Sequence, residues 1–350
     1  MILNSYAVLD GFVSLFRLGL GLFVLGLGLS AWRTWRHRAQ APEGRQVLED
    51  LGYLLFLLAG LLLILNVAAW PIFYLLLQSY VPQWPGVMCI YGVTRIGTGS
   101  ASVSRFLPPL VTTLEVLKPG LVFLSGAWFI LYLVNRRTHT APLTGRVLAL
   151  MAAAGALAAA DAAAEVAYLG IPKKEMFLSA GCCTGMLGGE EDASRFLPRG
   201  LTGEGAEPWL YGTYYTVQLG MIAALGSCWR RTDLKSILWW LGPLLGGAAL
   251  SLAVGAVFLI DVAAPRLLAN FLPHHHCPYD LVPQAPASVA AAAIFLSGCF
   301  CIGWACLAAW LGRHAESRPF LAEMLGRLLH FAFFSYLVSA LMISVELMLT

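Results

Sequence analysis

Four of the eight cysteines, Cys89, Cys182, Cys183 and Cys277, fall in the more polar stretches of a very apolar chain, and the last directly follows the run His274-His275-His276. Thiolates select soft ions such as Cu(I) or Zn(II), and neutral imidazole suits both metals. A short His tract beside a Cys is a compositional pointer to metal, although no paired CxxC or HxxxH spacing of a zinc site occurs here. The same four cysteines could instead form two disulfides, with adjacent Cys182 and Cys183 reaching different loops, in a compartment where disulfides persist. Thiol–disulfide exchange by one reactive thiol is a third use, disfavoured by the absence of a CxxC pair.

A second group carries charge or polarity inside apolar stretches: Asn66, Asp161, Glu165 and Asp261. Ionisable groups in lipid are costly and are functional-site hypotheses by default. They are expected toward the outer ends of their spans, either as a polar ring that holds or passes a cation or proton, or as headgroup-level caps. Glu115 with Lys118, and Glu323 with Arg327, have helix-face spacing for ion pairs. Cys299, Cys301 and Cys306 read as small core residues. His330 has no second His at matching depth, so haem is not expected. No Walker A, GxGxxG, HExxH or CxxCH motif is present, and no catalytic set emerges, so neither an ATPase nor nucleic-acid binding is expected on this chain.

The elements that must position these residues follow from composition. Hydrophobic residues make up 59% of the 350-residue chain and charged residues 12%, with a mean hydropathy of +0.74. Soluble domains carry about 25% charged residues, so lipid must be the solvent. An all-α transmembrane bundle is expected, because in lipid each backbone polar group must be satisfied within its own helix. Eight stretches are long enough to span: 9–32, 51–78, 108–134, 147–169, 209–229, 236–260, 286–312 and 321–347. The first is read as a retained helix rather than a cleaved signal. Basic residues cluster at alternate junctions, around Arg33–Arg45, Arg136–Arg146, Arg230–Lys235 and Arg313–Arg318. The positive-inside rule puts those junctions in the cytoplasm. Both termini and the cysteine-bearing loops then face the periplasm of a bacterial inner membrane.

An internal likeness organises the chain. Ser104-Arg105-Phe106-Leu107-Pro108 recurs as Ser194-Arg195-Phe196-Leu197-Pro198, each after a CxxG, Cys89-Ile-Tyr-Gly92 and Cys182-Cys183-Thr-Gly185. Asn66-Val-Ala-Ala, Asp161-Ala-Ala-Ala and Asp261-Val-Ala-Ala precede the three loops, and Phe-Leu-Ser-Gly occurs at 123–126 and 295–298. The expectation is one transmembrane domain over 1–350. It comprises three parallel helix–loop–helix hairpins (51–135, 147–230 and 236–312) and two outer spans (9–32 and 321–347). Parallel repeats of this kind are related by an axis along the membrane normal. The reading is a soft-metal (Cu or Zn) transporter or membrane subunit of a larger complex. Its alternatives are a disulfide-stapled scaffold and a membrane thiol–disulfide oxidoreductase. With no large extramembrane domain expected, other protein subunits are its expected partners besides lipid.

Overall fold

A computed structural model describes residues 4–38, 42–84, 87, 89–98, 100–173, 207–229, 233–270 and 277–350, with the side chains of 38 and 42–50 left aside. Among the described residues there are eight long helices and no strand. They are α1 (Ser5–Arg38), α2 (Pro42–Tyr80), α3 (Leu107–Arg136), α4 (Thr144–Gly170), α5 (Glu207–Cys228), α6 (Leu234–Phe258), α7 (Pro286–Leu311) and α8 (Arg318–Leu349). Their lengths run from 22 residues in α5 to 39 in α2, or about 33 to 59 Å at 1.5 Å per residue. Each exceeds a hydrocarbon core of about 30 Å.

Seven of these helices are long and apolar enough to cross a membrane, and the protein is a multi-pass membrane protein. Of the eight expected stretches, 209–229 is not among these seven. That stretch is helical as α5, but Tyr211, Thr213, Tyr214, Tyr215, Thr216 and Gln218 lower its hydropathy below that of the others.

The chain falls into two compact units. The first is Met1–Ala180 with His314–Ser317, and the second is Gly181–Arg313 with Arg318–Thr350. Helices α1–α4 belong to the first and α5–α8 to the second, so the hairpin expected over 147–230 has its two helices in different units. Each unit runs helix, helix, cysteine-bearing connection, helix, helix. The Val-Ala-Ala signature after Asn66 or Asp261 lies at the second helix of its unit, and Phe-Leu-Ser-Gly lies in the third. In the first SRFLP segment the helix-capping oxygen is that of Ser102, which accepts from the Ser104 amide at 3.3 Å. Pro108 then opens α3, where its missing N–H has no helical partner to lose. The second SRFLP segment lies outside the described residues.

In the first unit α1 and α4 pack antiparallel along a seam of small residues. A Cβ on Gly155 would come within 2.8 Å of Gly21 O and Leu25 N, and one on Gly21 within 3.0 Å of Ala159 N and Gly155 O. Only glycine permits backbones this close, and such contact drives helix association in lipid, where burial of apolar surface gives no net force. Two turns further along, a Cβ on Gly28 would come within 3.2 Å of the Ala152 Cβ. Continuing the register the other way sets Arg17 opposite Asp161, and Ser14 opposite Glu165.

In the second unit the core is aromatic and aliphatic, with Tyr214 stacked on Phe258 at 4.0 Å. Tyr336 O–H and Ser251 Oγ share a hydrogen bond of 2.7 Å, and Ser339 Oγ donates to Ala291 O at 2.8 Å.

Candidate functional site

On α1 the spacing of Asp10, Ser14 and Arg17 places three polar groups on one helical face. Arg17 is 1% exposed and is the hub of the first unit. Its Nε donates to Asn66 Oδ1 of α2 at 3.0 Å, Nη1 to Glu165 Oε2 of α4 at 2.7 Å, and Nη2 to Asp161 Oδ2. Lys118, from α3, donates to Asp161 Oδ2 at 3.3 Å and to Glu165 Oε1. Ser14 Oγ donates to Glu165 Oε2 at 2.6 Å. Asp161 and Glu165 are fully buried, and all four helices contribute. Arg17 lies about 18 Å along α1 from its first residue and Lys118 about 17 Å along α3, which places both well inside the span.

Two cations and two carboxylates cancel in this group, and charge-assisted hydrogen bonds link them. That is the condition under which buried charges are tolerated. Asp10 upsets the balance. It is 1% exposed, and neither of its carboxyl oxygens has a hydrogen-bond partner among the described residues. It lies within electrostatic range of Glu165, Lys118, Arg17 and Asp161. Asp161 Oδ1 and the Asn66 amide nitrogen are likewise buried without a described partner. A fifth ionisable group here is compatible with a low dielectric only when neutralised, by a proton or a bound cation.

Aromatic rings flank the cluster. Lys118 Nζ sits 5.2 Å from the Phe73 centroid, and Phe73 meets Tyr168 edge-on at 5.7 Å. Just beyond the end of α4, Lys173 Nζ donates to Tyr168 O at 2.9 Å and stands over the Tyr168 and Tyr80 rings at 4.3 and 5.4 Å. Burial pushes the Lys173 ammonium down to about 8, because little water is left to solvate the charged form.

The structure thus brings Asn66, Asp161 and Glu165 together in the first unit, each hydrogen-bonded to Arg17. Asp261 is buried in the second unit, in a π-helical turn over Leu259–Ala263. Cys89 is buried at the start of the short helix Ile90–Thr94. Cys277 is buried in the second unit, with its Sγ and an Asp280 carboxylate oxygen within 4.8 Å of each other. Cys182, Cys183 and His274, His275 and His276 lie outside the described residues. No disulfide joins two described cysteines. Cys299 Sγ contacts Tyr336 Oη at 3.2 Å and Cys306 Sγ donates to Leu241 O at 3.5 Å. His330 packs on Trp229, 4.3 Å between ring centroids.

Sequence reasoning passed over Asp10, Ser14 and Arg17, and assigned Lys118 to a pair with Glu115. The signal was present: Asp10 and Arg17 are charges within an apolar span, two helical turns apart on one face. Comparisons with protein-family models, curated proteins and solved structures find no match to this chain.

Proposed function

We propose that this protein is a proton-coupled membrane transporter or relay subunit whose proton-binding site is the Asp10–Arg17–Asp161–Glu165–Lys118 cluster of the first unit. The observation that carries this reading is Asp10, a buried carboxyl without a hydrogen-bond partner among the described residues, beside a neutral set of four charges. A purely structural network needs no fifth acid. In this reading Asp10 takes the proton. Its arrival or departure changes the net charge facing Arg17 and Lys118, and so biases how tightly α1 and α4 hold together. Bistable charge pairing of this kind is how proton relays gate helices. The membrane is a bacterial inner membrane, α5 is an eighth pass, and both termini face the periplasm, as the alternating basic junctions require. Other subunits supply any large extramembrane domain.

The test is proton flux into proteoliposomes of the purified chain, read with an enclosed pH dye under an imposed gradient. Wild type should equilibrate the lumen and Asp10→Asn should not, while remaining helical and monodisperse. Equal flux in both would refute the reading.

A second reading rests on Cys277 and Asp280, which offer a thiol and a carboxylate within 4.8 Å in the second unit. With the histidines that precede Cys277 in the sequence, the thiol suits Cu(I) and the thiol–carboxylate pair Zn(II). Stoichiometric copper or zinc in purified protein, lost in Cys277→Ser, supports it; metal-free wild type removes it.

A further inference from the structure

The four-helix plan that holds a charge network in the first unit leaves a cavity, open on one side, in the second. A cavity of about 220 Å³ lies among α5, α6, α7 and α8. Gln218 enters it from the first helix of the unit and Ser339 from the fourth, as Arg17 and Glu165 enter the core of the first unit. Between them the walls are apolar: Tyr214, Phe258 and Phe295, with Gly255 and Ala291 leaving the room. Interiors of four-helix bundles are a common place for ligands.

Two features define what fits. Gln218 is 2% exposed, and its side-chain oxygen has no hydrogen-bond partner among the described residues. An unmet amide oxygen in a low-dielectric core is costly and is relieved by a ligand group that donates to it. Ser288 and Ser339 already donate to Ala285 O and Ala291 O, at 2.7 and 2.8 Å, and so offer the ligand only acceptor oxygens. The polar lining therefore calls for a donor, whereas a bare ketone or ester oxygen would meet two further oxygens. On its α6 side the cavity reaches Leu252, which is 43% exposed on the outer flank of a membrane-spanning helix. A hydrocarbon tail can leave by that route into lipid.

We infer that the second unit binds a membrane-resident long-chain alcohol, with its hydroxyl on Gln218 and its chain between Phe258 and Phe295.

The full chain in lipid nanodiscs is photolabelled with alkyne-tagged, photoreactive farnesol, with unlabelled farnesol or farnesyl methyl ether as competitors. Labelling should be saturable and map to α6 and α7. The ether, which cannot donate, should compete about tenfold more weakly than the alcohol, the equivalent of one hydrogen bond. Gln218→Leu should erase that difference between alcohol and ether. Ala292→Phe, which fills the cavity without touching the amide, should abolish the labelling and keeps the test decisive should the Gln218 variant not fold. Non-saturable labelling, equal competition by the ether, or undiminished labelling of Ala292→Phe would each overturn the assignment.

Discussion

Replacing Arg17 by Met removes the hub of the first unit while keeping an unbranched apolar chain in its place. The guanidinium makes three hydrogen bonds, two of them to carboxylates that are fully buried. Without it Asp161 and Glu165 share one cation, Lys118, and the cluster carries an uncompensated negative charge. Breaking a buried ion pair from one side costs about 3–5 kcal/mol, a large share of a typical stability of about 5–15 kcal/mol. Asp161→Asn leaves the opposite imbalance, two cations facing one carboxylate, with a similar expected loss. The double variant Arg17→Met/Asp161→Asn keeps Lys118 and Glu165 as a neutral pair. It should therefore be no less stable than the poorer single variant, although independent sites would lose about 6–10 kcal/mol together. Unfolding in mixed detergent micelles, followed by far-ultraviolet circular dichroism, measures all four proteins in one cycle. Additive losses in the double variant would refute the charge-balance account of the cluster.

Other outcomes follow from the same geometry. Gly155→Val places a side chain where Gly21 O and Leu25 N already stand at 2.8 Å from a Cβ. It should separate α1 from α4 and lower the thermal midpoint about as much as Arg17→Met, whereas Gly19→Ala, with no atom near its Cβ, should be close to neutral. For Lys173, burial lowers the ammonium from 10.5 to about 8. The unfolded chain then binds more protons than the folded one between those values, so stability rises with pH across that window. The advantage of Lys173→Met over wild type, measured as a difference in thermal midpoint, should be largest at neutral pH and shrink above pH 8. A constant difference would count against a buried ammonium. Tyr336→Phe removes the hydroxyl shared with Ser251 and Cys299 and should lower stability by about 1 kcal/mol without changing proton flux.

How much was legible in the sequence differs between fold and site. The helices were readable because a bilayer leaves little choice: apolar runs of about 20 residues between charged junctions become helices. The α5 stretch was readable as a helix and less so as a span, since three tyrosines and a glutamine dilute its hydropathy without disturbing its backbone. Helix partners were not readable. Motif likeness linked α4 to α5, whereas α4 packs on α1, through a glycine seam whose cause is local van der Waals fit rather than any repeated word. That seam decides the site. Asn66, Asp161 and Glu165 stood out as polar residues in apolar runs, but their common partner, Arg17, lies more than a hundred residues from Asp161 and contributes to no basic cluster at a junction. The cysteines drew attention by residue type, and type alone carries no information on distance.

The central claim is that Asp10 binds and releases a proton beside a neutral charge cluster. It is tested most directly by pH-difference infrared spectroscopy of the protein in lipid, comparing wild type with Asp10→Asn. The account predicts a protonated-carboxyl C=O band that changes with pH in wild type and is missing from Asp10→Asn, with the amide bands unchanged. An identical carboxyl band in both proteins, or none in either, would contradict it.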